Sequence, residues 1–310
     1  MSKYFMVTGG TGFIGSHLLK ELLNQNKKVI LLKRTFSDIW RIKDFIDNDN
    51  LILKDIDEED LSHIFSQYDI EGIFHLATFY ERSHKSEDIS RMINSNINFP
   101  TVLLENAVKS NVKFFINTGT CFEYDLDSYP ISENSRIKAF NLYSSTKIAF
   151  EDILKFYHEK YDIICTTIKL FTPYGPKDDE NKIMPYLITK SIKKEDIHIK
   201  SPNKKLDFIH VADIVDCYIA LMNNISKLEK YDSFNVGTGI GTSINDILEI
   251  IESILGKNNN VSFGNMEDNW IWCSNKKIKD AINWSPKIKL EDGIKLTIDY
   301  YNHCVQNDNE

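Results

Sequence analysis

A glycine-rich turn near the N-terminus limits what this chain can fold into more than any other feature. Residues 9–15 read GGTGFIG, directly after the apolar run Tyr4–Thr8 and directly before the helical pattern Phe13–Asn24. A strand, a glycine turn and a helix in this order form the phosphate-binding element of a dinucleotide fold. A merely structural turn is the alternative, and the flanking strand and helix favour dinucleotide binding.

The three spaced glycines of this turn each have a physical role. Gly9 allows the tight turn, Gly12 lets the backbone approach a pyrophosphate, and Gly15 lets the helix pack closely on the strand. The N-terminus of the following helix then faces the anion with its unpaired N–H groups.

The end of the second strand bears on the choice of dinucleotide. NAD enzymes place a carboxylate there to hold the ribose 2′-hydroxyl, but this strand, Val29–Leu32, ends in Lys33 and Arg34. Two cations suit a 2′-phosphate, because arginine forks onto phosphate and lysine adds a point charge. The pair therefore favours NADP(H) over NAD(H), with two solvated surface cations as the alternative.

Strand and helix patterns alternate through the first half of the chain. Strands are predicted at Leu51–Leu53, Gly72–Leu76, Lys113–Asn117 and Ile163–Leu170, with helices over Ile89–Lys109 and Tyr143–Tyr157. This alternation predicts an α/β fold, a Rossmann-type doubly wound parallel sheet with helices on both faces.

After Phe171, prolines break the chain into shorter pieces, which predicts a smaller C-terminal α/β lobe for the substrate. The predicted sheet domain is 1–170, joined by about 207–235. The predicted lobe is 171–206 with 236–305, followed by a polar tail, 306–310.

Bulk properties exclude several classes of partner. The net charge of -8 and a pI of about 5.6 argue against nucleic acid and anionic membranes. No apolar run has membrane-spanning length, and the segment before the glycine turn is too short for a signal peptide. The five cysteines form no CxxC pair, and no His or Cys spacing suggests a metal site. We therefore expect a cytoplasmic protein with reduced thiols.

A tyrosine and a lysine carry the predicted chemistry. Tyr143 and Lys147 are spaced YxxxK on a predicted helix, so both side chains lie on one face, one turn apart. A neighbouring ammonium favours the phenolate and is expected to lower the tyrosine pKa, which tunes the phenol for proton exchange with a carbonyl. YxxxK alone is common and can be an exposed helix pair. Together with the glycine turn it becomes a specific signal.

At this point the chain resembles the extended short-chain dehydrogenase/reductases, in particular the sugar-nucleotide epimerases, dehydratases and reductases. The resemblance spans nearly the whole length. It rests on GGTGFIG, YSSTK and five further segments: Phe74–Ala77, Asn96–Asn98 leading into Thr101–Glu105, Pro173–Pro176, Asp207–Asp213 and Phe234–Gly239. Short segments, among them Trp270–Ser274, are most similar to reductases that make deoxysugar nucleotides, such as the CDP-paratose/abequose synthases.

The resemblance implies a set of site residues. The catalytic group is Thr120, Tyr143 and Lys147, with Thr118 as the next candidate for the hydroxyl. The implied cofactor-binding residues are Gly9, Thr11, Gly12, Phe13, Ile14, Gly15, Lys33, Arg34, Asp55, Ile56, Leu76, Ala77, Thr78, Asn96, Thr118, Tyr143 and Lys147. The implied substrate-binding residues are Phe79, Thr120, Cys121, Tyr143 and Thr172.

The chain departs from the family pattern where the diphosphate is usually gripped. Thr172 replaces a common asparagine, Leu206 replaces an arginine, and residues 266–272, MEDNWIW, lack an RxxD arginine. Lys182, Lys204 and Lys205 are candidates to compensate, or simply a solvated lysine-rich face. Trp270 and Trp272 are candidates to stack on a base, or are one packed and one exposed ring.

These observations predict NADPH-dependent reduction of the 4-keto group of a nucleotide-linked deoxysugar. Family dehydratases carry an Asp–Glu pair directly after the catalytic Ser/Thr, whereas this chain has Cys121–Phe122. One alternative is an NAD-dependent sugar-nucleotide 4-epimerase, and another is a non-catalytic dinucleotide-binding regulatory protein. The resemblance also implies a homodimer through the helices around 93–109 and 143–157.

Overall fold

The computed structural model describes residues 3–127, 129–228, 231–265 and 270–307. The strands are β1 (Tyr4–Thr8), β2 (Lys28–Lys33), β3 (Leu51–Asp55), β4 (Ile70–His75), β5 (Phe114–Thr120), β6 (Ile164–Leu170), β7 (Thr172–Tyr174), β8 (Ile197–Ile199), β9 (Lys205–Leu206), β10 (Phe208–His210), β11 (Asp232–Val236), β12 (Thr242–Ser243) and β13 (Val261–Phe263). The α-helices are α1 (Phe13–Asn24), α2 (Leu61–Gln67), α3 (Asp88–Ile93), α4 (Phe99–Lys109), α5 (Leu142–Lys160), α6 (Ile183–Lys193), α7 (Val211–Asn223), α8 (Ile244–Leu255), α9 (Lys276–Ile282) and α10 (Leu290–Asn307).

A seven-stranded sheet in the order β11-β6-β5-β4-β1-β2-β3 forms the centre of the fold. Every neighbouring pair in it is parallel. The chain winds outward in both directions from β1 and β4, so their carboxyl ends border the crevice in which doubly wound folds bind ligands. The predicted Rossmann-type sheet is confirmed.

Alternating side chains divide the core between the two faces of this sheet. On β1, Phe5 and Val7 join the apolar cluster that holds α1 and α7, whereas Met6 joins the cluster on the opposite face with α4 and α5. Successive strand residues point to opposite faces, and helices cover both of them. The sheet is therefore fixed from both sides, which holds its carboxyl edge in place.

The predicted helix Ile89–Lys109 is interrupted by a π turn, Asn94–Asn98, between α3 and α4. Pro100 follows directly and has no N–H to donate to the carbonyl of Asn96, which favours a break in the α-helical bonding there. The length of this break cannot be read from the residue pattern. Its consequence is that the buried Asn96 sits inside a widened turn.

The C-terminal lobe has an apolar cluster of its own, formed mainly by α6, α8 and α10. The sequence pattern does not predict helix α6, because Pro185 is one of the prolines that interrupt this part of the chain. In the structure Pro185 lies in the first turn of α6, where no N–H is needed. Ile278, Ile282 and Trp284, assigned to the lobe by the sequence, pack in the sheet-domain cluster with α1 and α7.

The end of the chain differs from the predicted tail. Gln306 and Asn307 belong to α10, and 308–310 lie outside the described residues. No helix within the described ranges is long and apolar enough to cross a membrane.

Candidate active site

The glycine turn forms a cradle that side chains would fill. Gly9 has a φ of +71°, and a Cβ there would lie 2.6 Å from the backbone nitrogen of Ala77. A Cβ at Gly15 would lie 2.1 Å from the Gly9 carbonyl oxygen. Gly12 begins α1 without a side-chain cap. The first amides of α1 therefore face the crevice, and this cradle fits the pyrophosphate of a dinucleotide.

Hydrogen bonds around Thr8 hold the ends of β1 and β4 together. The Thr8 hydroxyl shares a 2.8 Å hydrogen bond with His75 Nδ1 and accepts the amide of Ala77 at 3.2 Å. Burial, aided by the nearby Lys147 ammonium, lowers the pKa of His75 well below its ordinary value. His75 is therefore neutral at pH 7 and braces the Leu76–Ala77 segment against the glycine turn.

The ends of β2 and β3 do not present two equivalent cations. Lys33 Nζ lies 2.8 Å from a carboxylate oxygen of Asp55, which lowers the Asp55 pKa. The Ile56 amide donates to the Lys33 carbonyl at 2.9 Å, so the two strand ends are tied together. Arg34 donates to the hydroxyl of Ser95 at 3.1 Å. The sequence expected Lys33 and Arg34 to share one role, and the structure separates them.

The side-chain amide of Asn96 forms its hydrogen bonds within the protein. Its amide oxygen accepts the Phe79 amide at 2.7 Å and the Thr78 hydroxyl at 3.1 Å. Its amide nitrogen donates to the Phe79 carbonyl and to the Thr146 hydroxyl, each at 3.0 Å. The resemblance implied a cofactor contact, and the structure places this side chain as a brace between the 78–79 segment and α5.

Tyr143 and Lys147 lie one turn apart near the start of α5, and both are buried. Burial, followed by the negative charge of Glu123, raises the pKa of the Tyr143 phenol above its ordinary value. Burial lowers the pKa of Lys147 to about 8. The expected lowering of the tyrosine pKa is therefore wrong for this state, because burial of the phenol dominates. Tyr143 holds its proton at neutral pH.

Thr120 ends β5 and begins the short turn Cys121–Glu123. The competing hydroxyl of Thr118 donates to the His75 carbonyl at 2.8 Å and also contacts the Tyr218 hydroxyl. Thr118 is thus committed to the framework. Thr120 stays the proposed third group of the site.

Glu123 lies close to Thr120 in sequence, but the sequence does not reveal that it meets two further charged groups there. Glu123, Lys169 and Glu151 form what we call the buried ion triad, with Lys169 Nζ 3.0 Å from a carboxylate oxygen of each glutamate. A lysine inside the apolar run Ile164–Leu170 was the available signal, because charged groups are rarely buried unless paired.

Three further predicted substrate residues lie at or beyond the ends of strands: Phe79 after β4, Cys121 after β5 and Thr172 on β7. Phe79 packs beneath the Arg91 guanidinium, 4.3 Å from the ring centre. Cys121 is a buried thiol whose pKa burial raises to about 12, so it stays protonated. Thr172 lies on β7, where its amide donates to the Asp207 carbonyl at 2.9 Å.

Asp207 joins segments of the chain that are distant in sequence, a role that the sequence did not reveal. Its carboxylate accepts the amide and hydroxyl of Thr238, each at 2.6 Å, and the amides of Gly239 and Cys273 at 2.9 and 3.2 Å. A Cβ at Gly237 would lie 2.6 Å from the same carboxylate. This carboxylate thereby ties residues 237–239 to Cys273.

An aromatic cluster lies directly before Cys273 in the chain and includes Tyr129 from a distant segment. The ring of Tyr129 lies 4.8 Å from that of Trp272 and 5.6 Å from that of Trp270. Lys205 Nζ lies 5.3 Å above Trp270. Lys182, another of the three candidate cations, pairs instead with Asp178 at 2.8 Å. Residues 266–269 of the region without the RxxD arginine lie outside the described residues.

Known proteins match this arrangement over most of the chain. The model of the NAD dependent epimerase/dehydratase family matches residues 5–237. The chain belongs to this family. The predicted resemblance to the extended short-chain dehydrogenase/reductases is confirmed, as is the prediction of an NAD(P)-dependent enzyme.

Individual members of the epimerase/dehydratase family are similar along their full length. CDP-abequose synthase of Salmonella typhimurium is 30% identical, over 95% of this chain and 97% of its own. UDP-glucuronate 4-epimerase of Thermodesulfobacterium geofontis is 28% identical, over 98% and 97%. The solved structure of UDP-glucuronic acid 4-epimerase from Bacillus cereus, in complex with UDP-glucuronic acid and NAD, has a TM-score of 0.88 at 25% identity, covering 97% of this chain and 99% of that one.

Proposed function

We propose that this protein uses NADPH to reduce the 4-keto group of a nucleotide-linked deoxysugar. The observation that carries the proposal is a buried, protonated Tyr143 one turn from Lys147, with Thr120 at the adjoining strand end. A reductase needs a proton donor at this place, and a phenol with a raised pKa meets that need. The similarity to CDP-abequose synthase supports this substrate class.

The cofactor would lie along the carboxyl edge of the sheet. The first amides of α1 and the glycine cradle would hold the pyrophosphate. Arg34 would hold the 2′-phosphate, since Lys33 is already paired with Asp55. Lys147 would donate hydrogen bonds to the nicotinamide ribose. Bound NADPH would supply a hydride to the carbonyl carbon of the substrate.

The chain's own residues would manage the proton. As the carbonyl carbon gains hydride, its oxygen becomes an alkoxide and takes the phenolic proton of Tyr143, which gives a secondary alcohol and a phenolate. Lys147 would stabilise that phenolate, and the proton would be replaced from solvent before the next turnover. The Thr120 hydroxyl would donate a hydrogen bond to the carbonyl oxygen and hold it towards Tyr143.

A 4-epimerase with bound NAD is the second candidate. It is favoured by the similarity to UDP-glucuronate 4-epimerase and by the NAD found in the Bacillus cereus structure. Both reactions would use Tyr143 and Lys147. They differ in redox balance, because a reductase consumes external NADPH in each turnover and an epimerase returns its hydride.

The deciding experiment measures NADPH oxidation at 340 nm with CDP-, dTDP- and GDP-linked 4-keto-6-deoxysugars. The proposal expects turnover of one substrate, weaker activity with NADH, and loss of turnover in Tyr143→Phe. Tyr161→Phe, an exposed phenol at the end of the same helix, is the matched control. Silence across the panel with NAD released on denaturation would support the epimerase. Dinucleotide binding without any redox activity would support the regulatory protein.

The setting of the enzyme forms part of the same proposal. The described cysteines are all free thiols, in keeping with a reducing cytoplasm. Exposed apolar side chains on α4 and α5, among them Val102 and Phe156, support a homodimer through these helices.

A further inference from the structure

The two carboxylates of the buried ion triad differ in their pairing. The side chains of Glu123, Lys169 and Glu151 are 1%, 2% and 8% exposed, and the lysine contacts both glutamates. Glu151 also lies 3.5 Å from Lys155 Nζ, whereas Lys169 is the only cation paired with Glu123 among the described ion pairs. Burying charge costs folding free energy, which directs attention to what else Glu123 contacts.

Glu123 is the carboxylate that contacts the reaction centre. One of its oxygens accepts the backbone amide of Thr120 at 2.7 Å, and the other lies 3.0 Å from Lys169 Nζ. Thr120 and Glu123 also form a reciprocal capping box around the turn Cys121–Glu123. The carboxylate therefore bridges the buried lysine to the backbone of the residue that carries the reacting hydroxyl.

Gly119, directly before Thr120, lies where strand β5 passes close to this carboxylate. A Cβ at Gly119 would lie 2.8 Å from the same Glu123 oxygen and 3.1 Å from Lys169 Cγ. The site therefore needs a residue without a side chain for the carboxylate to reach the Thr120 amide. The residue directly before Thr120 therefore has to be a glycine because of where the Glu123 carboxylate lies.

We propose that Glu123, held by Lys169, is a positioning residue that fixes Thr120 for the reaction, whereas Glu151 balances charge only. The inference rests on the proposed role of Thr120 in carbonyl reduction. Glu123 touches neither substrate nor cofactor in this assignment. It acts through the Thr120 backbone and through its charge.

The charge of Glu123 also reaches the other two reacting groups. It raises the pKa of Tyr143 and opposes the lowering of the Lys147 pKa by burial. Glu151 is not among the main groups that shift the pKa of either residue. Glu123 affects the pKa values of these titratable groups: Cys121, Tyr124, Tyr143, Lys147, Glu151, Lys169 and Tyr231. Burial raises the pKa of Glu123 itself to about 7, so its carboxylate is charged mainly above that pH. Neutralising Glu123 should therefore lower the pKa values of Tyr143 and Lys147 together in the alkaline range.

Matched variants test this assignment in the full-length enzyme. Glu123→Met keeps the volume but removes the acceptor, Glu123→Gln restores an acceptor without charge, and Glu151→Met is the control at the same lysine. Each variant leaves Lys169 with one carboxylate. We expect kcat to fall about a hundredfold in Glu123→Met and about tenfold in Glu123→Gln, with the KM for the nucleotide sugar within about twofold of wild type. Glu151→Met should keep kcat within about twofold.

The pH profile separates positioning from general destabilisation. In both Glu123 variants the high-pH limb of kcat/KM should move to lower pH, and in Glu151→Met it should stay in place. Equal kcat losses at both glutamates, or no loss at Glu123, would overturn the inference while leaving an active wild type and the proposed function intact. A wild type inactive across the whole sugar panel would sink the proposed function and this inference with it.

A second measurement covers the case in which Glu123→Met does not fold. In protein labelled with ¹⁵N-threonine, the Thr120 amide proton should resonate far downfield in wild type and Glu151→Met. It should move upfield in Glu123→Gln, because a neutral acceptor binds the N–H more weakly than a carboxylate. An unchanged Thr120 amide, together with an unchanged kcat in Glu123→Gln, would overturn the inference.

Discussion

Lys33 and Asp55 form an ion pair of 2.8 Å that joins the ends of two neighbouring strands. The charge of Lys33 is therefore already balanced within the protein. Arg34, on the next residue, has a hydroxyl partner in Ser95 and no carboxylate partner among the described ion pairs. In the proposed NADPH complex, selectivity for the 2′-phosphate would therefore depend on Arg34 much more than on Lys33.

Arg34→Ala should selectively weaken the binding of NADPH. We expect the KM for NADPH to rise about tenfold, because a charge-assisted bond to the 2′-phosphate is lost, and the KM for NADH to stay within about twofold. Steady-state kinetics with both cofactors measures this. Arg136→Ala, at an exposed arginine on a different loop, is the matched control. Parallel losses for NADPH and NADH would contradict a role in reading the phosphate.

Thr120→Val and Thr118→Val should have different effects although both remove a hydroxyl from β5. Thr120→Val should lower kcat about a hundredfold, because the carbonyl oxygen loses a donor. Thr118→Val should mainly lower the free energy of unfolding, by about 1 kcal/mol, because the His75 carbonyl loses its partner. Kinetics and urea unfolding of both variants measure the contrast. A larger kcat loss in Thr118→Val would exchange their roles.

Lys147→Met should stabilise the cofactor-free protein while abolishing turnover. In the folded chain the Lys147 pKa is about 8, but an unfolded lysine keeps its proton to about pH 10.4. Between these values the unfolded chain binds more protons, so the wild type gains stability as the pH rises. At pH 7 the variant should be more stable by on the order of 2 kcal/mol.

Urea unfolding at pH 7 and at pH 10 measures this effect, with Lys155→Met as an exposed control on the same helix. The advantage of Lys147→Met should shrink at pH 10, and Lys155→Met should show none at either pH. A variant less stable than wild type at pH 7 would mean that Lys147 gains more from its neighbours than burial costs.

Phe156→Glu should separate the proposed dimer. Phe156 is 51% exposed on α5, and a charge at the centre of an apolar interface is expected to weaken association by several kcal/mol. Light scattering coupled to size exclusion should report half the wild-type mass. Glu159→Lys on the same helix is a polar control for a change of surface charge. A wild type that is already monomeric would refute the proposed interface directly.

The sequence predicted the sheet well because its signals are local. The glycine turn, the apolar strands and the YxxxK helix each occupy a few consecutive residues, and parallel strands place their carboxyl ends along one edge. The strand ends holding Gly9, Thr120 and the start of α5 were therefore predictable. Helix α6 escaped because a proline has opposite meanings at the start and in the middle of a helix.

The electrostatics of the site were harder to predict because they depend on pairs distant in sequence. Lys33 meets Asp55 across two strands, and Glu123 meets Lys169 from the neighbouring strand. No spacing rule links these residues. The Tyr143 pKa was predicted in the wrong direction for the same reason, since burial is a property of the folded chain and outweighs one nearby ammonium.

The π turn at Asn94–Asn98 has a consequence for how this chain tolerates insertions and deletions. A π turn holds one residue more than an α-helical turn, and each helical residue advances the direction of side chains by about 100°. Deleting one residue there would leave an ordinary α-helical turn and keep Leu103, Leu104 and Ala107 facing the core, whereas adding one residue would rotate them by that angle. The deletion would still cost the hydrogen bond of Asn96 to Thr146, because the widened turn holds Asn96 in place. A one-residue deletion in 94–98 should therefore be tolerated better than a one-residue insertion.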